Sequence, residues 1–367
     1  MKMIPVASPV LNGNESLYVK ECLESTWVSS AGRFIGLFEA EFARFCGVKH
    51  AVSCSNGTAA LHLSLLAHDL RPGDEVIIPT LTYVATANCV HYCGATPVFV
   101  DCEPETWNID PGKIEAAVTP RTRGIIVVHL YGHPVDLDPV LALADKYGLF
   151  VVEDAAEAHG AEYKGRRVGS IGHVAAFSFF GNKIITTGEG GMLTTNDDAL
   201  AAKMRQLRGQ GVDPGRRYWF PQIGYNYRMT NIEAAIGLAQ MENIGWHLAQ
   251  RRRVVDTYRE RLGHCPDLLI QPEKPWAQNS YWMVSVVLGD RFPEREVVMD
   301  RLLTANIETR PFFYPMHVLP IYRDLALGKA FPVADAIYPR GLSLPSSGCL
   351  TTTEIDYVCE HLLSMLR

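Results

Sequence analysis

The chain has 367 residues, 47% hydrophobic and 20% charged, with 30 glycines and 22 prolines in no repeating pattern. This balance belongs to a globular protein of about two domains and excludes a disordered or fibrous chain. Lys and Arg number 34 against 40 Asp and Glu, a net charge of −6, and the basic residues are scattered, so nucleic acid is not an expected partner.

Met1 to Val10 holds no apolar stretch of signal-peptide length, and no later window approaches the ~18 uncharged apolar residues of a membrane span. A cytoplasmic chain without membrane contact is expected. Nine cysteines run from Cys22 to Cys359 with no C-x-x-C pair, which suggests neither a disulfide framework nor a zinc site. Cys89 and Cys93 have the i, i+4 spacing of a metal pair, but no second His or Cys pair completes a set; no metal is expected.

In chain order, Phe34 to Phe45 carries apolar residues at 34, 35, 38, 42 and 45 and stops at Gly47, the pattern of an amphipathic helix. From residue 50 to about 200, short β-rich runs alternate with helical stretches. The runs are His50–Cys54, Glu75–Ile78, Thr96–Val100, Gly124–His129, Phe150–Glu153, His173–Phe179 and Met192–Thr195. Several are continuously apolar, as strands of a parallel sheet covered on both faces should be. Arg208–Arg217 reads as a long loop, Asn231 to about Leu262 as a long helix and Tyr281–Leu288 as a strand. Helices follow near Glu294–Ala305 and Glu354–Leu366. The expected organisation is a large α/β domain over residues 1–240 and a smaller α+β domain over 241–367.

Ligands of an open parallel sheet collect at the carboxyl ends of its strands. Ser55, Asn56, Gly57 and Thr58 lie past one strand and open a helix whose free N–H groups suit an anion such as a phosphate; plain N-capping by Asn56 or Thr58 reads equally well. Asp154 ends another strand, where a half-buried carboxylate needs a cationic or hydrogen-bonding partner, and a protonated pyridine nitrogen would serve. Glu153 should face the other side of the sheet. Lys183 follows Ser178, Phe179, Phe180, Gly181 and Asn182 and precedes Thr186-Thr187-Gly188-Glu189-Gly190-Gly191. A desolvated lysine there is a candidate nucleophile towards an aldehyde cofactor; the alternative is a packed stem with its ammonium in water.

These segments, with Ile4-Pro5-Val6-Ala7, Pro79-Thr80-Leu81-Thr82-Tyr83, Glu153 to Gly160 and Gly224 to Met229, resemble the DegT/DnrJ/EryC1/StrS family of pyridoxal-phosphate-dependent sugar aminotransferases. The resemblance spans nearly the whole chain and implies the fold type I α/β architecture of aspartate aminotransferase. It implies that Lys183 holds pyridoxal 5′-phosphate covalently and Asp154 pairs with its ring nitrogen. Gly57, Thr58 and Ser178 would hold the phosphate, with Asn226 entering from the facing subunit of a homodimer. Tyr83 matches an aromatic that stacks on the ring, and Glu157 the position beside the ring hydroxyl, where a second carboxylate must be protonated or turned away. For Tyr83 and Glu157, ordinary packing and a solvated turn are the alternatives. The implied substrates are L-glutamate and a nucleotide-linked 4-keto-6-deoxy sugar. The block Phe177–Met192 most resembles members using GDP-4-keto-6-deoxymannose, with UDP- or dTDP-linked sugars, or a non-catalytic regulatory homologue, as the alternatives. Arg310, Phe312, Tyr314 and His317 are the substrate-pocket candidates, Arg310 for a diphosphate and His317 for the sugar or a phosphate; Arg310 and His317 are open to a structural role as well.

Overall fold

Short β-branched runs bounded by turn residues supply the strands of the central sheet in the computed structural model, which describes residues 2–366. Among the described residues they are β1 (His50–Cys54), β2 (Glu75–Pro79), β3 (Thr96–Val100), β4 (Thr122–Val128), β5 (Phe150–Asp154), β6 (Val174–Ser178) and β7 (Gly191–Thr195). Their order is β1-β7-β6-β5-β4-β2-β3. Strand β7 is antiparallel to both neighbours, and all other pairs are parallel. Val76, Ile77 and Ile78 of β2 and Ile125, Ile126 and Val127 of β4 are fully buried, as double helical cover requires.

This topology brings the carboxyl ends of β1, β4, β5 and β6 to one edge. Gly191 opens β7 at that edge, in register with Cys54 on one side and Ser178 on the other. The helix Arg33–Cys46 packs its buried stripe on the strand that leads there: Phe38 lies 5.0 Å from Phe179 and Phe42 4.9 Å from Phe177 between ring centroids. Each buried phenyl contributes about 1.5–3 kcal/mol of transfer energy, so the chain entering the Lys183 turn is firmly anchored.

A second, antiparallel sheet holds β8 (Leu268–Ile270), β9 (Val284–Leu288), β10 (Arg310–Pro311) and β11 (Gly341–Leu344), ordered β8-β9-β11-β10. The helices Ile244–Leu262, Arg295–Thr304 and Thr352–Leu363 accompany it. Ile4 belongs to the core of this half, with its N–H on Asn306 O at 2.8 Å, while Phe312, Met316, Tyr322 and Phe331 pack into the core of the first. No helix among the described residues is long and apolar enough to cross a membrane.

Some elements differ from expectation, the helix Glu15–Ser25 and the strands β8, β10 and β11 among them. The strand expected from Tyr281 starts at Val284, because Tyr281 has φ of +48° and its N–H is held by Asn279 Oδ1 at 2.7 Å. The helix expected from Asn231 to Leu262 is two, Asn231–Glu242 and Ile244–Leu262, parted at Asn243, where ψ of 11° leaves the helical range. A helix at Asp198–Arg208, capped by the Asp197 carboxylate on the Ala199 and Leu200 N–H groups, was not foreseen.

Candidate active site

Past β1, the Asn56 carboxamide accepts the Ala59 N–H at 2.8 Å and so caps the helix Gly57–Ala67. The cap leaves the Gly57 and Thr58 N–H groups at the first turn without intrahelical acceptors, so the capping and the anion-binding readings hold together. Gly57 is required sterically: a Cβ there would lie 2.7 Å from Ser178 Cβ. Gly191 is required as well, since its Cβ would meet Asn56 O at 2.3 Å. The result is a cup of backbone donors with the Ser178 hydroxyl at its wall.

The Lys183 turn is closed by its own backbone. Phe179 N–H donates to Gly190 O at 2.8 Å, Thr187 N–H to Phe179 O at 2.9 Å and Lys183 N–H to Phe180 O at 2.9 Å. Gly188 makes the return possible with φ of +89°. Lys183 is thereby mostly withdrawn from water, its side chain 11% exposed, with Nζ 3.8 Å from Glu157 Oε1 and 3.9 Å from the centre of the Trp282 ring. Trp282 is itself fixed by its indole N–H on Asn182 O at 2.8 Å. Burial lowers the Lys183 pKa, Glu157 and Asp154 oppose this, and Arg310 adds to it. The neutral amine is therefore more accessible than in an exposed lysine, and the alternative of an ammonium in water does not hold.

Asp154 is buried at the end of β5, where Oδ2 accepts the Thr86 hydroxyl at 2.7 Å and Oδ1 the Ala156 N–H at 3.2 Å. Its pKa is raised by burial against those two donors and Lys183. A cation brought to this carboxylate would satisfy it. Glu153 points to the opposite face as expected, where it meets His129 at 3.1 Å and the N–H groups of Gly169, Ile171 and Gly172. Burial alone would raise its pKa, but those contacts hold it below the ordinary range.

Glu157 is buried, not part of a solvated turn. Its Oε2 accepts the Tyr131 N–H at 2.8 Å. Burial pushes its pKa up to about 7 despite the help of Lys183 and of that N–H, so this carboxyl keeps its proton to a higher pH than a solvated glutamate does.

Gly57, Thr58, Asp154, Glu157, Ser178 and Lys183 all line one cavity of about 650 Å³. Tyr83 stands on its rim, half exposed, 5.5 Å from the Phe313 ring, and Arg310 also lines it. The other three pocket candidates do not. Phe312 is fully buried against Trp107 and Tyr131, because the chain alternates past the two-residue strand β10 and turns Phe313 to the cavity in its place. Tyr314 is exposed beside Tyr338. His317 is engaged between Thr80 Oγ1 at 2.7 Å and Asp335 Oδ1 at 2.9 Å, stacked on Phe331, which is the structural role. Asn226 is exposed outside the cavity of its own chain, its carbonyl oxygen accepting from Arg228 at 2.9 Å. Trp282 and Phe313 escaped sequence reading. Trp282 in particular lies about a hundred positions from Lys183 in the sequence, and no local signal links the two.

The donor set fits pyridoxal 5′-phosphate: the helix cup and Ser178 for a phosphate, Asp154 for a protonated ring nitrogen, Lys183 for an aldehyde carbon. The comparisons agree. The family model "DegT/DnrJ/EryC1/StrS aminotransferase family" matches residues 9–363. A GDP-perosamine synthase of Caulobacter vibrioides is 55% identical over 99% of this chain and 98% of its own. A GDP-perosamine synthase of Escherichia coli O157:H7 is 47% identical, with coverage of 99% and 98%. The solved structure of DesV from S. venezuelae in complex with a ketimine intermediate superposes with a TM-score of 0.92 at 32% identity, covering 99% of this chain and 98% of that one.

Proposed function

Since the chain belongs to the DegT/DnrJ/EryC1/StrS aminotransferase family and is a pyridoxal-phosphate-dependent sugar aminotransferase, we propose that it converts GDP-4-keto-6-deoxymannose to GDP-perosamine with L-glutamate as amino donor. The observation that carries the choice of sugar is the 55% identity, end to end, with a GDP-perosamine synthase.

When bound, the cofactor supplies an electron sink that lets an amino group move between carbon skeletons. The chain's own residues would do the rest. The first-turn N–H groups of Gly57 and Thr58, with the Ser178 hydroxyl, would hold the phosphate; the helix dipole adds to their grip. Asp154, kept at the end of β5 by Thr86, would hold a proton on the ring nitrogen. Lys183 Nζ, once free, would act as base and acid, taking the proton from the donor's α-carbon and delivering one to the sugar's C4 in the second half-reaction. Its burial supports this, because a neutral amine is the working base. Trp282 covers one side of Nζ and keeps water from it.

Two subunits would complete each site. Asn226 faces away from its own cavity, and Tyr218, Trp219, Phe220 and Ile223 stand exposed on the loop before it. An apolar patch of this kind supports cover by a second copy. The site of action would be the cytoplasm, where nucleotide sugars are assembled.

The test offers glutamate together with GDP-, UDP- or dTDP-linked 4-keto-6-deoxy sugars and identifies the product by mass and NMR. GDP-perosamine is expected. Equal or better turnover of a UDP- or dTDP-linked sugar would overturn the assignment.

A further inference from the structure

Behind Asp154 stands a chain of two hydroxyls. Thr86, on the helix Ala85–Tyr92, reaches Asp154 Oδ2 at 2.7 Å, and Thr82 Oγ1, four residues earlier, lies 3.0 Å from Thr86 Oγ1. Thr86 is wholly buried, and Thr82, also buried, lines the cavity together with Asp154. The other carboxylate oxygen, Oδ1, takes the Ala156 N–H at 3.2 Å. Held at both oxygens by donors from two segments, the carboxylate cannot turn about its Cβ–Cγ bond without leaving a buried donor unpaired. Lys183, His129, Glu157 and Cys89 are the charged and titratable groups whose fields meet at Asp154. Among the described residues none of these four hydrogen-bonds to its carboxylate, and only Thr86 and Ala156 do.

The chemistry of these groups fixes where the hydrogens lie. An ionised carboxylate only accepts, so the Thr86 hydrogen is spent on Asp154. At the 3.0 Å contact Thr82 is therefore the donor and the Thr86 oxygen the acceptor. A hydroxyl that accepts one hydrogen bond is a stronger donor in the next, so Thr82 strengthens what Thr86 gives to Oδ2. Hydrogen bonds to the charged form of an acid favour that form. Where a proton is shared between this carboxylate and a pyridine nitrogen, a donor on the carboxylate moves the proton towards the ring.

We infer that Thr86, oriented by Thr82, is the positioning residue that keeps the shared proton on the cofactor's ring nitrogen and off Asp154. This rests on the aminotransferase reading. The electron sink then depends on two side chains beyond the carboxylate itself.

The test loads parent, Thr86→Val, Thr86→Ser and Thr82→Val with pyridoxal 5′-phosphate isotopically labelled at the ring nitrogen and reads that nitrogen by NMR. Valine keeps the shape of threonine without the hydroxyl, and serine keeps the hydroxyl. In Thr86→Val the resonance should move towards that of an unprotonated ring, and kcat should fall about 10- to 100-fold, the range for one hydrogen bond to a charged group. KM for glutamate should change by less than about threefold. Thr86→Ser should keep the parent resonance and most of the activity. Thr82→Val, one step further from the carboxylate, should shift the resonance in the same direction by less, and it serves if Thr86→Val does not fold. A second readout needs no cofactor. With Oδ2 left without a donor, ionised Asp154 costs more in the folded apoprotein of Thr86→Val. The gap between its denaturation midpoint and that of the parent should therefore widen from about pH 4 to about pH 8. An unmoved ring-nitrogen resonance in Thr86→Val would overturn the inference, as would an equal loss in Thr86→Ser or a stability gap independent of pH. If the parent does not bind the cofactor at all, the aminotransferase reading itself fails, and the apoprotein measurement still decides whether Thr86 supports the ionised carboxylate.

Discussion

Replacing Glu157 by Gln should stabilise the apoprotein at neutral and alkaline pH while leaving it unchanged in acid. The carboxyl is buried, with one N–H donor at 2.8 Å and Lys183 Nζ at 3.8 Å as its polar company. That company does not offset desolvation, and the pKa moves from 4.5 to about 7. The folded chain then holds this proton to higher pH than the unfolded chain. Between the two values the unfolded state binds fewer protons, so stability falls as pH rises through the window and the full penalty is present above about 7. At about 1.4 kcal/mol per pH unit, this amounts to roughly 3 kcal/mol. A glutamine keeps the acceptor for the Tyr131 N–H and has no charge to desolvate. Denaturant titrations of parent and variant at fixed protein concentration, from pH 4 to 9, measure the difference. The curves should coincide near pH 4 and diverge to a few kcal/mol in the variant's favour by pH 8. A variant equally or less stable at pH 8 would refute the argument that Glu157 is ionised at a cost in the folded chain.

Asp154→Asn should abolish transamination with the fold intact, since an amide cannot hold a proton on the ring nitrogen; the loss in barrier is on the order of several kcal/mol, and near-normal turnover would make Asp154 a structural strand end. Gly57→Ala should loosen the cofactor, because its Cβ, 2.7 Å from Ser178 Cβ, must push the cup open; about 1–3 kcal/mol of overpacking is expected, read as a 10- to 100-fold weaker cofactor affinity by fluorescence titration. Mixing Lys183→Ala with Asn226→Ala, each inactive alone, should restore activity, because in the mixed dimer one site carries both defects and the other neither; no recovery after subunit exchange would show that Asn226 serves its own chain.

Much of the large sheet was legible because its strands are continuous apolar runs between turn residues, and such a run has few other places to go. The site residues of that half were legible for the same reason: Asp154 and Ser178 end strands, the Gly57 turn comes just after one, and the topology gathers strand ends at one edge. The second half read less well. Strand β10 is two residues long, its second residue a proline, and is too short for alternation to tell which of Phe312 and Phe313 faces inward. His317 looked like a ligand because imidazoles often are; its partners Thr80 and Asp335 come from distant segments that no local pattern connects. Trp282 escaped notice for the opposite reason. It reads as one more apolar residue of the expected strand Tyr281–Leu288, and only tertiary packing sets its ring against Lys183.

The account turns on Lys183 as the residue that bears the cofactor. Reducing the holoenzyme with borohydride, digesting it and mapping the pyridoxyl group by mass spectrometry tests this directly. The label is predicted on the peptide containing Lys183 and should vanish in Lys183→Ala, which would still bind the cofactor noncovalently. A label on any other lysine would contradict the account.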